Sequence, residues 1–221
     1  MKVKSFGCSF TYGTDLSDDN RRFDYPKPSQ LTWPALLAQQ HSMPYECYAR
    51  PGGGNLYILN QVLAQTAMVD PAIFIINWTW IDRFDFNDPL NDEWDVFCPI
   101  DTRAQAEYYY RNLHSQYRDK LVSLSYIKLA LDTLKQRNIP FIMTYIDSLI
   151  LETKWHATPA ITTMQDAVMH DLSTFDGKSF LEWSREKGYP ISSTLHPLEA
   201  AHAAAAELML ITFRKQNTID R

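Results

Sequence analysis

Glycine and cysteine are both scarce in this sequence. Its 221 residues include only seven glycines and three cysteines, Cys8, Cys47 and Cys98. An odd and small number of cysteines argues against a disulfide framework and is typical of a protein in a reducing compartment. Three of the seven glycines stand together at positions 52–54. This concentration marks the stretch as either a flexible turn or a place where the backbone itself has a function.

Excess positive charge, long apolar runs and a leader peptide are missing as well. The net charge of −5 gives no indication of a nucleic-acid-binding face. The longest apolar runs, such as AIFII at 72–76, are too short to span a bilayer. Met1 is followed almost at once by the first predicted strand, without the regions of a secretion signal. We therefore expect a cytoplasmic protein with no membrane span.

The composition is that of a globular protein, with 45% hydrophobic and 21% charged residues. The length fits a single domain over 1–221. Short apolar segments alternate with longer helical ones, which predicts an α/β fold with a parallel sheet. The predicted strands are 3–7, 45–49, 72–78 and 140–146. The predicted helices are 31–40, 56–68, a short one within 156–172, 179–187 and 197–214. The stretch 103–137 is predicted to be one long helix or two in succession, while 15–28 and 82–101 are predicted to be irregular.

Several loops directly follow predicted strands. In parallel sheets, ligands bind outside the carboxyl ends of the strands. We therefore expect the serine loop at 7–30, the glycine stretch and the WTWIDR segment at 78–83 to lie close together.

Ser9 stands between two glycines in GCSFTYG, at the end of the first predicted strand. A serine in such a turn can expose its hydroxyl and direct its own N–H at a bound substrate, as nucleophilic catalysis requires. The alternative is an ordinary turn serine that bonds nearby backbone. Cys8, its neighbour, is a second and weaker candidate nucleophile.

Four segments taken together resemble the SGNH (GDSL-like) hydrolase family. They are GCSFTYG at 7–13, PGGGN at 51–55, NWTWIDR at 77–83 and TLHPLEAAH at 194–202. The resemblance implies a flavodoxin-like three-layer α/β/α sandwich and a serine esterase, lipase or carbohydrate deacetylase. SGNH-like proteins of bacterial and phage genomes are similar to this compact chain.

The resemblance also implies roles for individual residues. Ser9 takes the position of the nucleophile, and its N–H that of an oxyanion-hole donor. Gly52, with Gly53 close behind, matches the glycine that supplies a second N–H. His196, followed by the frequent Pro197, takes the position of the general base. The alternative for His196 is an ordinary loop histidine near a helix N-terminus.

The third block departs from the family pattern. The family's asparagine is absent, and Thr79 or Trp80 falls at its place, whereas Asn77 is expected to lie within the strand. The side chain of Asn55 or the indole N–H of Trp80 could replace the lost oxyanion donor. Loss of one such donor costs about 3–4 kcal/mol of transition-state stabilisation.

The last block departs as well, because Ser193 stands three residues before His196, where the family has aspartate. A backbone carbonyl, Ser193 itself or another acid would then have to orient the imidazole, and Asp147 is the first candidate. Without such a group, a triad enzyme loses about 10⁴ in turnover.

Two further residues of the WTWIDR segment are candidates for the site. Asp82 and Arg83 form either a structural pair at its rim or, with Thr79 and Trp80, contacts to substrate. No cofactor is expected. No metal is expected either, because the histidines outside the motif lack ligand spacing with cysteines or carboxylates.

Two functions therefore remain open. The first is hydrolysis of a small ester, such as an O-acyl group on a carbohydrate, through an acyl-enzyme. The second is a catalytically degenerate binding protein, for example for a glycan. A carboxylate within reach of His196 distinguishes the first from the second.

Overall fold

A four-stranded parallel sheet lies at the centre of the protein. A computed structural model describes residues 1–19, 27–68 and 70–217. The strands of the sheet are β1 (Lys2–Phe6), β2 (Tyr45–Cys47), β3 (Ala72–Trp78) and β6 (Phe141–Tyr145). Their order is β2-β1-β3-β6, the flavodoxin-like arrangement, and a parallel bridge from Met143 to Leu172 extends it. The predicted α/β sandwich with a parallel sheet is confirmed.

Helices cover both faces of this sheet. Their bounds are α1 (Ser9–Tyr12), α2 (Trp33–Gln40), α3 (Asn55–Thr66), α4 (Ala104–Asn112), α5 (Gln116–Gln136), α6 (Pro159–Val168), α7 (Phe180–Glu186) and α8 (Glu199–Asn217). Buried residues of α3, α5 and α6 form one core, and those of α2, α7 and α8 form the other. Within the described residues, no helix combines the length and apolarity that a membrane crossing requires.

Strand β3 contributes to both cores because side chains alternate across a strand. Phe74, Ile76 and Trp78 face the first core, and Ile73 and Ile75 face the second. All seven residues of the strand are buried. This explains why the segment reads as a continuous apolar run.

The segment 82–101 is not irregular, and that prediction is wrong. It contains an antiparallel hairpin of β4 (Phe84–Asp88) and β5 (Glu93–Phe97), with Phe84 opposite Phe97. The Phe84 ring lies 4.4 Å from that of Tyr109 in α4, between centroids. Aromatic packing across the hairpin and onto α4 stabilises these strands. The acidic residues in the segment had favoured an irregular structure.

The predicted loop at 15–28 lies partly outside the described residues, since 20–26 are not described. Its first residues form turns directly after α1.

Candidate active site

Ser9 is the first residue of α1, a single helical turn that follows β1. Its backbone N–H therefore belongs to the first turn, whose N–H groups have no acceptor within the helix. Gly7 permits the tight path from strand to helix. A Cβ there would lie 2.3 Å from the Thr11 hydroxyl and 3.2 Å from the Asn77 carbonyl. The local sequence thus places both the hydroxyl and the N–H of Ser9 at the carboxyl end of β1.

Gly13 ends this turn in the left-handed conformation, with φ of 88°. Its N–H bonds to the Ser9 carbonyl, and a Cβ at this position would meet Ser29 at 2.3 Å. Glycine is the residue that adopts such a φ without a steric penalty. The chain is thereby turned back toward the sheet edge just before Asp15.

His196 lies against Ser9 although 187 residues separate them. Its Nε2 is 2.8 Å from the Ser9 Oγ. The Phe10 ring packs on the imidazole, with centroids 5.1 Å apart. Ser9 and His196 are 7% and 9% exposed. The two residues that the motif predicts are therefore in hydrogen-bond contact and largely shielded from solvent.

Asp15 completes a chain of hydrogen bonds behind the histidine. Its Oδ2 lies 2.8 Å from the His196 Nδ1 and accepts a 2.8 Å hydrogen bond from the Ser192 hydroxyl. The Thr194 hydroxyl donates to the same oxygen. Partial burial raises the pKa of Asp15, but the hydrogen bonds from Thr194, Ser192 and His196 outweigh it and bring the pKa below its usual value. An ionised Asp15 holds the proton on Nδ1, so Nε2 is free of a proton and accepts from Ser9.

Two residues of this arrangement have a positive φ without being glycine. Asp15 and Leu195 both have φ of 69°. Such angles are uncommon for residues with a Cβ and often occur at functional sites. Leu195 lies in a turn in which its N–H donates to the Ser192 carbonyl at 3.0 Å. The Ser192 N–H in turn donates to the His196 carbonyl at 2.9 Å. The tight turn at 192–196 fixes the position of the imidazole.

Asp147 and Ser193 do not orient His196, and both hypotheses are wrong. The Asp147 carboxylate accepts hydrogen bonds from the N–H groups of Ile81 and Leu149, at 3.2 and 3.1 Å. Ser193 is exposed. Asp147 follows β6, on the far side of β3 from β1, and is used there to fix the ends of two loops.

The sequence pattern did not indicate Asp15, because residues 15–28 are predicted to be an irregular loop and Asp147, at the end of a predicted strand, is the first candidate acid. A signal was nevertheless present. Asp15 follows Ser9 by six residues, with only a helical turn and a glycine between them, so it had to lie near the same sheet edge. The hydroxyl residues at 192 and 194 flank the histidine and were available as partners for a carboxylate.

The glycine loop, residues 50–54, lies beside this site. The Arg50 N–H donates to the Gly7 carbonyl at 3.2 Å, which brings the loop next to the Ser9 turn. The Gly53 N–H donates back to the Arg50 carbonyl at 3.0 Å, and Gly52 has φ of 80°. Pro51 and Gly52 thus occupy the central positions of a type II turn. Because the N–H of Gly53 is used within this turn, Gly52 is the better candidate for a donor to substrate.

The side chain of Asn55 is occupied elsewhere. Its Nδ2 donates to the Thr79 carbonyl at 3.3 Å and to the Ser123 hydroxyl at 3.1 Å, and its Oδ1 accepts from the Thr79 N–H at 2.9 Å. Asn55 thereby joins α3 to the end of β3. Asn77 lies within β3, as predicted, and accepts from the Thr144 hydroxyl at 3.1 Å. Trp80 is partly buried against the second core, which also includes Cys8 and Phe10.

Asp82 and Arg83 point in different directions. The Arg83 guanidinium donates to the Gly53 carbonyl at 2.8 Å. Asp82 lines a cavity of about 260 Å³ together with His114, Asp119 and Trp155. Burial raises the pKa of Asp82. The Arg83 side chain therefore contacts the glycine loop, whereas Asp82 lines a separate cavity.

The described residues contain few candidates for metal ligands near the site. No group of three or more histidine, cysteine or carboxylate side chains there has an arrangement that could hold an ion. Cys8 is buried with no exposed surface, and the Ser9 hydroxyl lies 3.8 Å from its sulfur. Of these two neighbouring side chains, it is Ser9 that contacts His196.

Comparison with known proteins bears on the fold. No protein-family model and no curated protein matches the sequence. Solved structures do: a lipolytic G-D-S-L family protein from Veillonella parvula is 14% identical, with 97% of this chain and 98% of that chain covered and a TM-score of 0.54. Esterase EstA from Pseudoalteromonas sp. is 11% identical, with 97% of each chain covered and a TM-score of 0.56.

A longer protein shares the fold as well. The acetyl xylan esterase Est2A from Butyrivibrio proteoclasticus is 15% identical, with a TM-score of 0.54 over 98% of this chain, which spans 64% of that one. At these identities the likeness establishes a common fold with G-D-S-L proteins, and function has to be argued from the site.

Proposed function

We propose that this protein is a serine ester hydrolase that acts through an acyl-enzyme. The observation that carries the proposal is the line of hydrogen bonds from Ser9 to His196 to Asp15, with 2.8 Å at each step. A nucleophile, a base and a group that orients the base are the three parts that such chemistry requires. They recur here on the fold shared with G-D-S-L proteins.

Each residue has a defined step. The Ser9 hydroxyl loses its proton to the His196 Nε2 as its oxygen attacks the ester carbonyl, and the protonated His196 then gives that proton to the departing alcohol. Asp15 stabilises the imidazolium through Nδ1. A water activated by His196 then attacks the acyl group on Ser9, which releases the acid and regenerates the serine.

The oxyanion of each tetrahedral intermediate needs donors. We assign this role to the N–H of Ser9, at the start of α1, and to the N–H of Gly52, in the turn beside it. Thr79, at the third-block position, is not assigned this role, because its N–H donates to Asn55 and its carbonyl accepts from Asn55. Two backbone donors are sufficient for an oxyanion hole, and removing one costs about 10²–10³ in kcat.

A small carbohydrate O-acyl ester is the proposed substrate class. Est2A, which shares the fold, is described as an acetyl xylan esterase. Trp80 follows β3 at the sheet edge where Ser9 lies and is only partly buried, so we assign its aromatic ring to contact with the sugar. Ser9 and His196 are mostly buried, which favours a short acyl group.

The first experiment is hydrolysis of p-nitrophenyl acetate by the wild type, Ser9→Ala and His196→Ala. We expect both variants to fall to background, a loss of about 10⁴-fold or more in kcat. Ser125→Ala and His170→Ala, which alter exposed residues, are matched controls that should retain wild-type rates. A wild type that is no faster than Ser9→Ala, on both this ester and an acetylated xylo-oligosaccharide, would contradict the proposal.

The second candidate is a binding protein with this fold and no turnover. The absent third-block asparagine favours it, since the Asn55 amide that could have replaced that donor is bonded to Thr79 and Ser123. It predicts that an inactive wild type still binds acetylated xylo-oligosaccharides in calorimetry. The Asp15 contact to His196 favours the hydrolase.

A further inference from the structure

The hairpin, residues 84–97, holds the glycine loop from outside. Asp85 of β4 is 7% exposed and lies at the N-terminus of α3. Its Oδ1 accepts from the Gly54 N–H at 2.7 Å, and its Oδ2 accepts from the N–H groups of Leu56 and Tyr57 at 2.9 and 3.1 Å. One carboxylate from a distant strand therefore binds three of the backbone donors at the start of this helix.

Arg83 binds the same segment from another direction. Its guanidinium donates to the Gly53 carbonyl at 2.8 Å. That carbonyl and the Gly54 N–H belong to a single peptide group, and in a trans peptide they point to opposite sides. The Gly53–Gly54 peptide is thus held at its oxygen by a cation and at its N–H by an anion.

Opposite charges at the two ends give this peptide group one orientation. Rotating it by half a turn would direct the carbonyl oxygen at the Asp85 carboxylate and the N–H at the Arg83 guanidinium. Glycines resist such rotation less than any other residue, because they lack a Cβ. A Cβ on Gly54 would lie 2.5 Å from the Asp85 Oδ2, so the close approach of the carboxylate itself requires glycine here.

We infer that Arg83 and Asp85 are positioning residues for the oxyanion hole. By fixing the Gly53–Gly54 peptide, they fix the type II turn that ends at Gly53, and with it the direction of the Gly52 N–H. The hairpin reinforces this: Arg50 donates to the Trp94 carbonyl, and a Cβ on Gly52 would lie 3.8 Å from Val96. The inference rests on the proposed hydrolase function, in which Gly52 is a donor.

The kinetic test is Asp85→Asn, which keeps the size of the side chain and removes its charge. The amide offers one acceptor oxygen and turns an NH₂ group toward backbone donors. We expect kcat for p-nitrophenyl acetate to fall by about 10- to 100-fold, with KM within about twofold, because the misplaced donor acts only on the transition state. Asp88→Asn is the matched control: its carboxylate accepts from Leu90 and Asn91 in the hairpin turn, and its kinetics should match wild type.

A second pair of variants covers the case in which Asp85→Asn does not fold. Arg83→Met should lower kcat, and Arg83→Lys should restore most of it, since lysine can still donate to the Gly53 carbonyl. A substrate-binding arginine would instead change KM. A KM effect without a kcat effect therefore overturns the positioning role.

Amide hydrogen exchange provides a readout that does not depend on activity. In Asp85→Asn, or in Arg83→Met if that variant is the one that folds, exchange should accelerate at residues 52–57 and stay as in wild type at Ser9 and His196. If the wild type hydrolyses the ester and neither variant changes kcat, the inference is wrong and the hydrolase remains. If the wild type hydrolyses no ester, the proposed function fails, and unchanged exchange at 52–57 would then overturn the positioning of the loop as well.

Discussion

At the level of single residues, the carboxylate that contacts His196 comes from the same segment as Ser9, the proposed nucleophile. Ser9 begins the helical turn α1 and Asp15 follows it, whereas the SGNH family has its acid three residues before the histidine. The substitution of one position for another is chemically sufficient, because the requirement is an ionised carboxylate at Nδ1 and not a particular place in the chain. Ser192 and Thr194 help to keep that carboxylate ionised.

Asp15→Asn is the prediction at this scale. An amide at position 15 would donate to or only weakly accept from Nδ1, so the imidazole would lose its preferred tautomer. We expect kcat on p-nitrophenyl acetate to fall by about 10³- to 10⁴-fold. Asp132→Asn, on the exposed side of α5, is the control and should have no effect. A larger loss of kcat in Asp147→Asn than in Asp15→Asn would show that Asp147, and not Asp15, orients His196.

At the scale of elements, a buried histidine joins the last helix to the second. The His202 Nδ1 in α8 accepts from the Trp33 N–H at 3.1 Å, at the start of α2. Its ring also lies 4.9 Å from that of Phe180, between centroids. Burial lowers the pKa of His202 to about 3. The folded protein therefore keeps this side chain neutral, although the unfolded chain protonates it in mild acid.

This difference predicts a loss of stability in mild acid. Below the unfolded pKa of about 6.5, the unfolded chain binds a proton at His202 that the folded protein does not. As the pH is lowered from there toward the folded pKa, the free energy of unfolding therefore decreases by up to about 1.4 kcal/mol per pH unit. Denaturant unfolding at pH 7, 6 and 5 measures it. His202→Asn, which keeps an acceptor for Trp33 but cannot titrate, should have a shallower slope. An identical slope in both proteins would assign the pH dependence to other groups.

The sequence predicts the features that periodicity or a motif reveals, but not those that depend on the conformation of loops. Continuous apolar runs such as AIFIINW define buried strands, and the parallel order follows from their alternation with helices. Ser9 and His196 were found through motif resemblance. Asp15 was not, because its place depends on a positive φ that no periodicity signals. The Asp85 contact was not, because it depends on how the hairpin packs on the N-terminus of α3. The hairpin was missed because its many acidic residues favour an irregular polar segment, although Phe84 and Phe86 alternate with polar residues in β4.

At the scale of the whole molecule, the two cores share one sheet. Ile75 and Ile76 are adjacent in β3 and both fully buried, yet they face different cores. Loosening either core therefore loosens the strand that the other packs against. Within the described residues this makes the two layers dependent on each other.

Ile75→Ala and Ile76→Ala test that dependence. Each should lower the free energy of unfolding by about 2–5 kcal/mol, as expected for a cavity in a packed core. Because both cores pack on β3, circular dichroism and tryptophan fluorescence should give coincident transitions in both variants. Trp33 and Trp78 lie in different cores, so the fluorescence includes a signal from each layer. Separate transitions in either variant would mean that one layer unfolds without the other.

The distance along the chain between the two halves of the site has a consequence for biosynthesis. Ser9 and Asp15 are synthesised before their partner His196, which follows them by 187 and 181 residues. A nascent chain therefore carries Ser9 without this hydrogen-bond partner until residue 196 has been added and has folded into place. In the mechanism that we propose, chains released by termination before residue 196 lack the general base and are inert toward esters.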